Sequence, residues 1–310
     1  MTVRVAVIGV GALGKHHARI LAALPGAELA GVVDTNEARA REIAATAGVP
    51  WATSAGELPW PVDAVTVAVP TESHLSVALP FLERGIAVLV EKPLARDAGE
   101  ARRMIDAATK SGAVFGVGHT ERYNPAVAAV RPLIDNPRFI EVHRLGTFPD
   151  RSLDIDVVFD LMIHDLDVVL SLVPSEVTSV EAVGVAVLTP KPDIANARLR
   201  FASGCIANVT ASRISRDRVR KIRLFQRDSY ISVDYAAQEA EHWRLIKTSG
   251  AMPAIDGGKV DVANEEPLKR ELADFVAAVR DKRPPGVTGA DGLRALELAQ
   301  RITDAMQEQM

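Results

Sequence analysis

Over the first third of the chain, short apolar runs alternate with amphipathic stretches. Val3–Ile8 is almost continuously apolar and predicts a buried strand. Gly11–Leu24 predicts a helix ended by Pro25-Gly26, followed by a strand over Glu28–Val33 and a helix over Glu37–Thr46. The rhythm continues with strand Asp63–Val69, a helix near His74–Glu83, strand Ile86–Val90, helix Ala98–Lys110 and strand Val114–Val117. Strands separated by helices of about 10–15 residues imply crossovers and a parallel sheet. Near-continuous apolar strands agree, because such a sheet is covered on both faces.

Beyond residue 122 the rhythm changes. A helix is predicted over Asn124–Ile134, a strand over Phe139–Thr147 and a strongly apolar helix over Val157–Leu172. Strands then dominate: Val177–Leu188, Ile194–Phe201, Ile206–Arg213, Val219–Phe225, Tyr230–Asp234 and His242–Ile246. Tight links such as Ala202-Ser203-Gly204 indicate antiparallel hairpins. Helices over Pro267–Arg280 and Leu293–Gln307, with Pro284-Pro285-Gly286 between them, close the chain. The expected class is α/β: a Rossmann-type doubly wound parallel sheet over residues 1–122, then an α+β domain over 123–310 with a large, mainly antiparallel sheet.

Length and composition narrow the field. At roughly 150 residues per domain, 310 residues agree with two domains. The formal charge of -4, from 36 basic and 40 acidic residues, lacks the basic surplus of a nucleic-acid binder. Cys205 is the single cysteine, so no intramolecular disulfide forms, which points to a reducing, cytoplasmic setting. The sequence shows no apolar run near the roughly 20 residues of a membrane span, and no targeting segment or repeat.

Gly9-Val10-Gly11-Ala12-Leu13-Gly14 follows a predicted strand and opens a predicted helix. In that context the spacing has a physical purpose. The first glycine permits a tight turn, the second admits a pyrophosphate to the backbone, and the third lets helix and strand pack closely. The helix start then offers unpaired N–H groups to the anion. Asp34 ends the second strand, 20 residues after Gly14, where a carboxylate accepts from adenosine ribose hydroxyls and repels a 2′-phosphate. Thr35 and Asn36 supply no cation, so the expected cofactor is NAD rather than NADP. The plainer alternative makes Asp34 a cap for the next helix.

Ligands of open α/β sheets bind beyond the carboxyl ends of the strands. Pro70 and Thr71 follow one such end and are expected along the nicotinamide ribose. His74, just inside the next helix, is either a further cofactor contact or only a helix-start polar residue. Glu91-Lys92-Pro93 follows another end. Lys92 is either a group aimed into the cleft, its backbone restricted by Pro93, or half of a surface ion pair with Glu91. A partly buried lysine near other cations can titrate into a catalytically useful range.

The apolar helix over Val157–Leu172 carries a polar stripe. Asp156, Asp160, His164, Asp167 and Ser171 recur at spacings of four, four, three and four, whereas Asp165 points elsewhere. Charged groups on a buried helix need a wet pocket or partners. A catalytic row accounts for the whole stripe. The alternatives are an interior histidine donating to a carbonyl, a salt bridge at Asp160, or a metal shared by Asp160 and His164, which no second His or Cys cluster supports.

Taken in order, the Gly9–Gly14 turn with Asp34, Glu91-Lys92-Pro93, Arg122-Tyr123-Asn124-Pro125 and Asp160-x-x-x-His164-x-x-Asp167 resemble the glucose–fructose oxidoreductase / inositol dehydrogenase / MocA family over essentially the full chain. The resemblance implies an NAD-dependent dehydrogenase whose substrate lies between a Rossmann domain and an open-faced sheet, with no metal. Lys92 and His164 would be the catalytic pair, supported by Asp160, with Arg122, Tyr123 and Asn124 near the substrate. It also implies a homodimer or homotetramer formed through the sheet. Two places where relatives often carry glycine hold Asp154-Ile155-Asp156 and Met162 here. With His119 to Pro125, this is similar to the branch that oxidises the 3-hydroxyl of UDP-N-acetylglucosamine, feeding amide-linked lipid A. The other expected activities are oxidation of a free sugar or cyclitol such as myo-inositol, and NAD binding by a regulator without turnover.

On that resemblance, His164 takes the alcohol proton and Lys92 holds the oxygen; the reverse assignment stands beside it. Seven cations between Arg213 and Arg227 face only Asp217 in the same stretch, with Asp228 next to it. They either meet the diphosphate of a nucleotide-sugar or are solvated charges on an exposed strand in an oligomer interface.

Overall fold

The computed structural model describes residues 2–56, 58–148, 155–246 and 254–307. Its contacts divide the chain into two compact units, Met1–Thr120 with Glu266–Leu296, and Glu121–Glu265 with Glu297–Met310. The first break lies two residues from the expected one. The segment Glu266–Leu296, placed in the second domain by the sequence division at 122/123, belongs to the first unit.

In the first unit the strands are β1 (Val3–Ile8), β2 (Ala27–Val33), β3 (Trp51–Ala52), β4 (Ala64–Val67), β5 (Ala87–Glu91) and β6 (Phe115–Gly118). They form a parallel sheet in the order β3-β2-β1-β4-β5-β6. This is the doubly wound order, whose direction reverses between β1 and β4. The crossovers are α1 (Gly14–Ala23), α2 (Glu37–Ala47), α3 (His74–Glu83) and α4 (Ala98–Ser111). Local chemistry sets their ends. Asn36 caps α2 by accepting from the Arg39 amide, and Asp97 caps α4 by accepting from Glu100. Gly48 and Gly112 close those helices in the left-handed region.

The returning helix α7 (Pro267–Asp281) belongs here because of its apolar face. Leu268, Leu272, Phe275 and Val276 fall at i, i+4, i+7 and i+8, and are buried among Val3, Val5 and Leu21 of β1 and α1. A linear division cannot anticipate a helix that comes back to an earlier core.

The second unit is built on an eight-stranded sheet. Its strands are β7 (Phe139–Leu145), β8 (Val177–Val185), β9 (Ile194–Phe201), β10 (Ile206–Ser212), β11 (Val219–Gln226), β12 (Ser229–Asp234), β13 (Glu239–Ile246) and β14 (Ala254–Lys259). The order is β14-β13-β12-β11-β7-β10-β9-β8, antiparallel except where β10 runs parallel to β7. The strands alternate buried and more exposed positions, for instance in β9 from Ala195 to Phe201. The buried side packs against α5 (Pro125–Val130) and α6 (Ile163–Leu172). The last helix, α8 (Gly289–Gln307), starts four residues before its expected beginning. Thr288 and Asp291 form a reciprocal cap: the Asp291 amide donates to Thr288 Oγ1, and Asp291 Oδ2 accepts from the Thr288 amide.

The helix expected to run unbroken over Val157–Leu172 instead opens with a π-helical segment, Val158–Met162, before α6. A wider turn abandons the fixed angular step on which a single polar stripe depends.

Candidate functional site

The glycine turn between β1 and α1 is closed so tightly that side chains are excluded. Gly9 has φ 86°, and a Cβ there would stand 2.7 Å from the Ala68 carbonyl oxygen. A Cβ on Gly14 would fall 1.8 Å from the Gly9 oxygen. Gly11, by contrast, has nothing within 4 Å of the place where a Cβ would be, so the turn presents open backbone. No side chain caps the start of α1. Ala12 and Leu13 are exposed. Uncapped amides beside open backbone fit a dinucleotide pyrophosphate.

Asp34 Oδ2 accepts from the Val10 amide at 2.9 Å, and Oδ1 from the Asn36 amide at 2.9 Å. These bonds fix the carboxylate at the rim of the turn and leave further lone pairs for ribose hydroxyls. Arg39 is committed elsewhere, to the Val10 carbonyl and Glu42. The residues present therefore fit NAD.

Pro70 is exposed and Thr71 half-buried where the chain leaves β4. His74 is different. It is buried, with Nδ1 3.0 Å from the Pro93 carbonyl and Nε2 3.0 Å from the Val69 carbonyl. Its ring braces the loop after β4 against the loop after β5. Burial pushes its pKa down, against the pull of those carbonyls.

Glu91 is likewise engaged within the unit. Its carboxylate is buried, 3.0 Å from His17 Nε2 on α1, and Oε2 accepts from the Lys92 amide at 3.3 Å. Gly118 is required opposite it, since a Cβ there would come within 2.7 Å of the carboxylate. Glu91 thus ties the end of β5 to α1. Lys92 is half-buried, and the Lys92–Pro93 bond is cis.

In the second unit the predicted stripe divides. Asp156 accepts from the Val158 and Phe159 amides at the start of the π-helical segment. Asp167 is buried and receives Arg122 through both Nε (2.8 Å) and Nη2 (2.5 Å). Ser171 accepts from Arg131. Asn124 caps α5 and donates to the Tyr235 carbonyl at 3.0 Å. Arg122 and Asn124, expected at the substrate, therefore hold this unit together; Tyr123 is half-buried beside them. His164 is half-buried in the first turn of α6. Asp160 lines a cavity of about 540 Å³ with Arg144, Gly146, Thr147, Arg213, Arg218 and Arg220 among its walls. Asp154 lies outside the described residues. Among the described residues, no group of three or more His, Cys, Asp or Glu side chains is arranged to hold a metal ion.

Beneath this cavity lies a network that the sequence reading missed. Arg144 of β7 is buried and meets Asp165 through Nε (2.5 Å) and Nη2 (3.0 Å), and Glu121 at 3.1 Å. Its guanidinium also lies 5.6 Å from the centre of the Tyr235 ring. Burial opposes the charge of Arg144, but Asp165 and Glu121 outweigh it and hold the group above its ordinary range. One signal was available: Arg144 stands at the same strand parity as the core residues Ile140 and Val142.

Arg213 is likewise buried and pairs with Asp193 at 2.9 Å. Burial pushes the Asp193 carboxyl up, but donors from Leu188, Thr189 and Val187 outweigh it and hold it well below the usual range. A depressed pKa contributes stability above the unfolded value, about 4, which is lost as pH falls below it. The difference in urea midpoint between the wild type and Asp193→Asn should be largest near neutral pH and shrink below about pH 4. A difference independent of pH would contradict this role.

The two units match the two halves of one known architecture. Residues 3–119 match the oxidoreductase family, NAD-binding Rossmann fold, and residues 134–228 match the GFO/IDH/MocA C-terminal domain. The chain is 39% identical to UDP-N-acetylglucosamine 3-dehydrogenase of Acidithiobacillus ferrooxidans, over 98% of this chain and 97% of that protein. It is 30% identical to inositol 2-dehydrogenase of Rhizobium meliloti, over 99% and 98% of the two chains. A solved structure of the Acidithiobacillus ferrooxidans enzyme superposes with a TM-score of 0.92, covering 99% of each chain at 38% identity. Levoglucosan dehydrogenase in complex with NADH and levoglucosan shares the fold, with a TM-score of 0.87 at 20% identity.

Fold and cradle define an NAD-dependent dehydrogenase acting on CH–OH groups. The chain belongs to the GFO/IDH/MocA oxidoreductase family.

Proposed function

We propose that this protein oxidises a secondary hydroxyl of a nucleotide-sugar, the 3-hydroxyl of UDP-N-acetylglucosamine, with NAD as the acceptor. What most supports the substrate reading is the similarity to a dehydrogenase of that nucleotide-sugar along nearly the whole of both chains. Bound NAD supplies the acceptor for the hydrogen of the carbinol carbon. The chain's own residues must then place the carbinol and remove its hydroxyl proton.

In this reading His164 takes the proton and Asp160 orients the imidazole. Lys92 donates a hydrogen bond to the same oxygen and stabilises it as it becomes a carbonyl. The Glu91–His17 pair and the His74 brace, on either side of the Lys92 backbone, keep that loop fixed. The protein would act in the cytoplasm, supplying a keto-sugar for amination toward amide-linked lipid A. It would associate as a homodimer or homotetramer through the sheet of the second unit, where Val183, Phe225, Trp243 and Ile255 are exposed. Among the described residues, no helix is long and apolar enough to cross a membrane.

The test is incubation with NAD⁺ and, separately, UDP-N-acetylglucosamine, myo-inositol and glucose, following reduced cofactor by absorbance. Formation with the nucleotide-sugar alone is expected. Formation with only myo-inositol or glucose would replace this substrate reading. Cofactor binding with no turnover across a broadened panel would make the protein a regulator.

A further inference from the structure

The cavity beside Asp160 is lined by both buried and exposed cations. Four arginines line it, with Asp160 as the lining carboxylate. Two of them are accounted for internally: Arg144 by Asp165 and Glu121, and Arg213 by Asp193. Arg218 and Arg220 are exposed, and only Arg220 acts on one of these carboxylates, Asp165. Arg218 donates to the Thr147 hydroxyl at 3.2 Å, and neither has a carboxylate within ion-pair distance among the described residues.

Strand parity explains why these two differ from their neighbours. Ile222 and Leu224 of β11 are buried beneath the helix-covered face, and Arg220 shares their parity. Arg218 has the same parity one step before the strand begins. Lys221 and Arg223 have the opposite parity and are spent on Asp234 and Glu141. Moreover, Arg220 stands directly across from Arg144 in the β7–β11 register. Asp165 and Glu121, already beside Arg144, offset that like-charge pairing, so it is the exposure of Arg218 and Arg220 that leaves them available to a ligand. A cavity of about 540 Å³ is within the range of small-molecule sites.

We infer that Arg218 and Arg220 form the diphosphate subsite for the substrate, in the same cavity that Asp160 lines. Guanidinium forks match phosphate oxygens bidentately. This inference rests on the nucleotide-sugar reading and deepens it. It selects two of the seven cations in the Arg213–Arg227 segment and leaves Lys221 and Arg223 out of the subsite.

Steady-state kinetics with UDP-N-acetylglucosamine and inhibition by UDP are measured for wild type, Arg218→Gln, Arg220→Gln and the control Arg223→Gln, each checked for an unchanged melting curve. Turnover by the wild type, with KM and the UDP inhibition constant raised roughly 10- to 100-fold in Arg218→Gln and Arg220→Gln, little change in kcat and no effect in Arg223→Gln, supports the subsite. If either variant fails to fold, the salt dependence of UDP inhibition in the wild type decides the matter: weaker inhibition at higher salt supports the subsite, and no salt dependence overturns it. Turnover of the nucleotide-sugar with all three variants within twofold of wild type overturns the subsite and leaves the substrate reading standing. A wild type that neither turns over the nucleotide-sugar nor is inhibited by UDP overturns the reading and the subsite together.

Discussion

Replacing Lys92 by methionine is expected to lower kcat by about 10²- to 10⁴-fold, the usual contribution of a positioned proton-handling group. Methionine keeps much of the length and the apolar stem while removing the ammonium. The loop around it should survive, because its anchors lie elsewhere: Glu91 is held by His17, and the Pro93 carbonyl is held by His74. NAD affinity should change little, since the glycine turn and Asp34 are untouched. The pH profile adds a separate readout. If Lys92 only stabilises the oxygen, the limb that reports the His164 base persists in the variant; if Lys92 is itself the base, that limb disappears. A variant with wild-type turnover and a wild-type pH profile would remove Lys92 from the chemistry under either assignment.

The second large effect concerns stability. Arg144→Met should destabilise the second unit by about 3–5 kcal/mol, because it leaves Asp165 and Glu121 without their shared cation. Asp165 is almost wholly buried, so water cannot replace the lost partner. The cost lies mainly in the stranded charge and not in the pair itself. Adding Asp165→Leu and Glu121→Gln to Arg144→Met should therefore recover much of the loss, a non-additivity expected of residues in one network. Urea midpoints followed by far-UV circular dichroism check both statements. A small shift for Arg144→Met, or a triple variant less stable than the single, would show that these charges are not a closed buried network.

What could be read from the sequence follows from where the physical information lies. The glycine turn and Asp34 were legible because strand, turn, helix start and acid all fall within one short stretch. The five longer strands of the first unit were legible because strands buried on both faces are nearly all apolar. Two strands carried no usable pattern: Trp51–Ala52 is too short to have a period, and Ala254–Lys259 holds two adjacent glycines in an otherwise mixed run. The polar stripe was half right. Its residues are polar for a reason, but the π-helical segment and the partners on other elements decide which reason. Arg122 and Asp167 meet across 45 residues, and His17 and Glu91 across 74. Periodicity within one element cannot report a partner that far away.

The paired action of Lys92 and His164 on one substrate oxygen is the claim on which the proposed reaction turns. A kinetic cycle of Lys92→Met, His164→Asn and the double variant, with UDP-N-acetylglucosamine and NAD⁺, measures it directly. Groups that act as a unit lose most of their effect once either is gone. The double variant should therefore be far less impaired than the product of the two single effects. Losses that multiply to within about twofold would mean that the two residues act independently, and the shared-oxygen mechanism would fall.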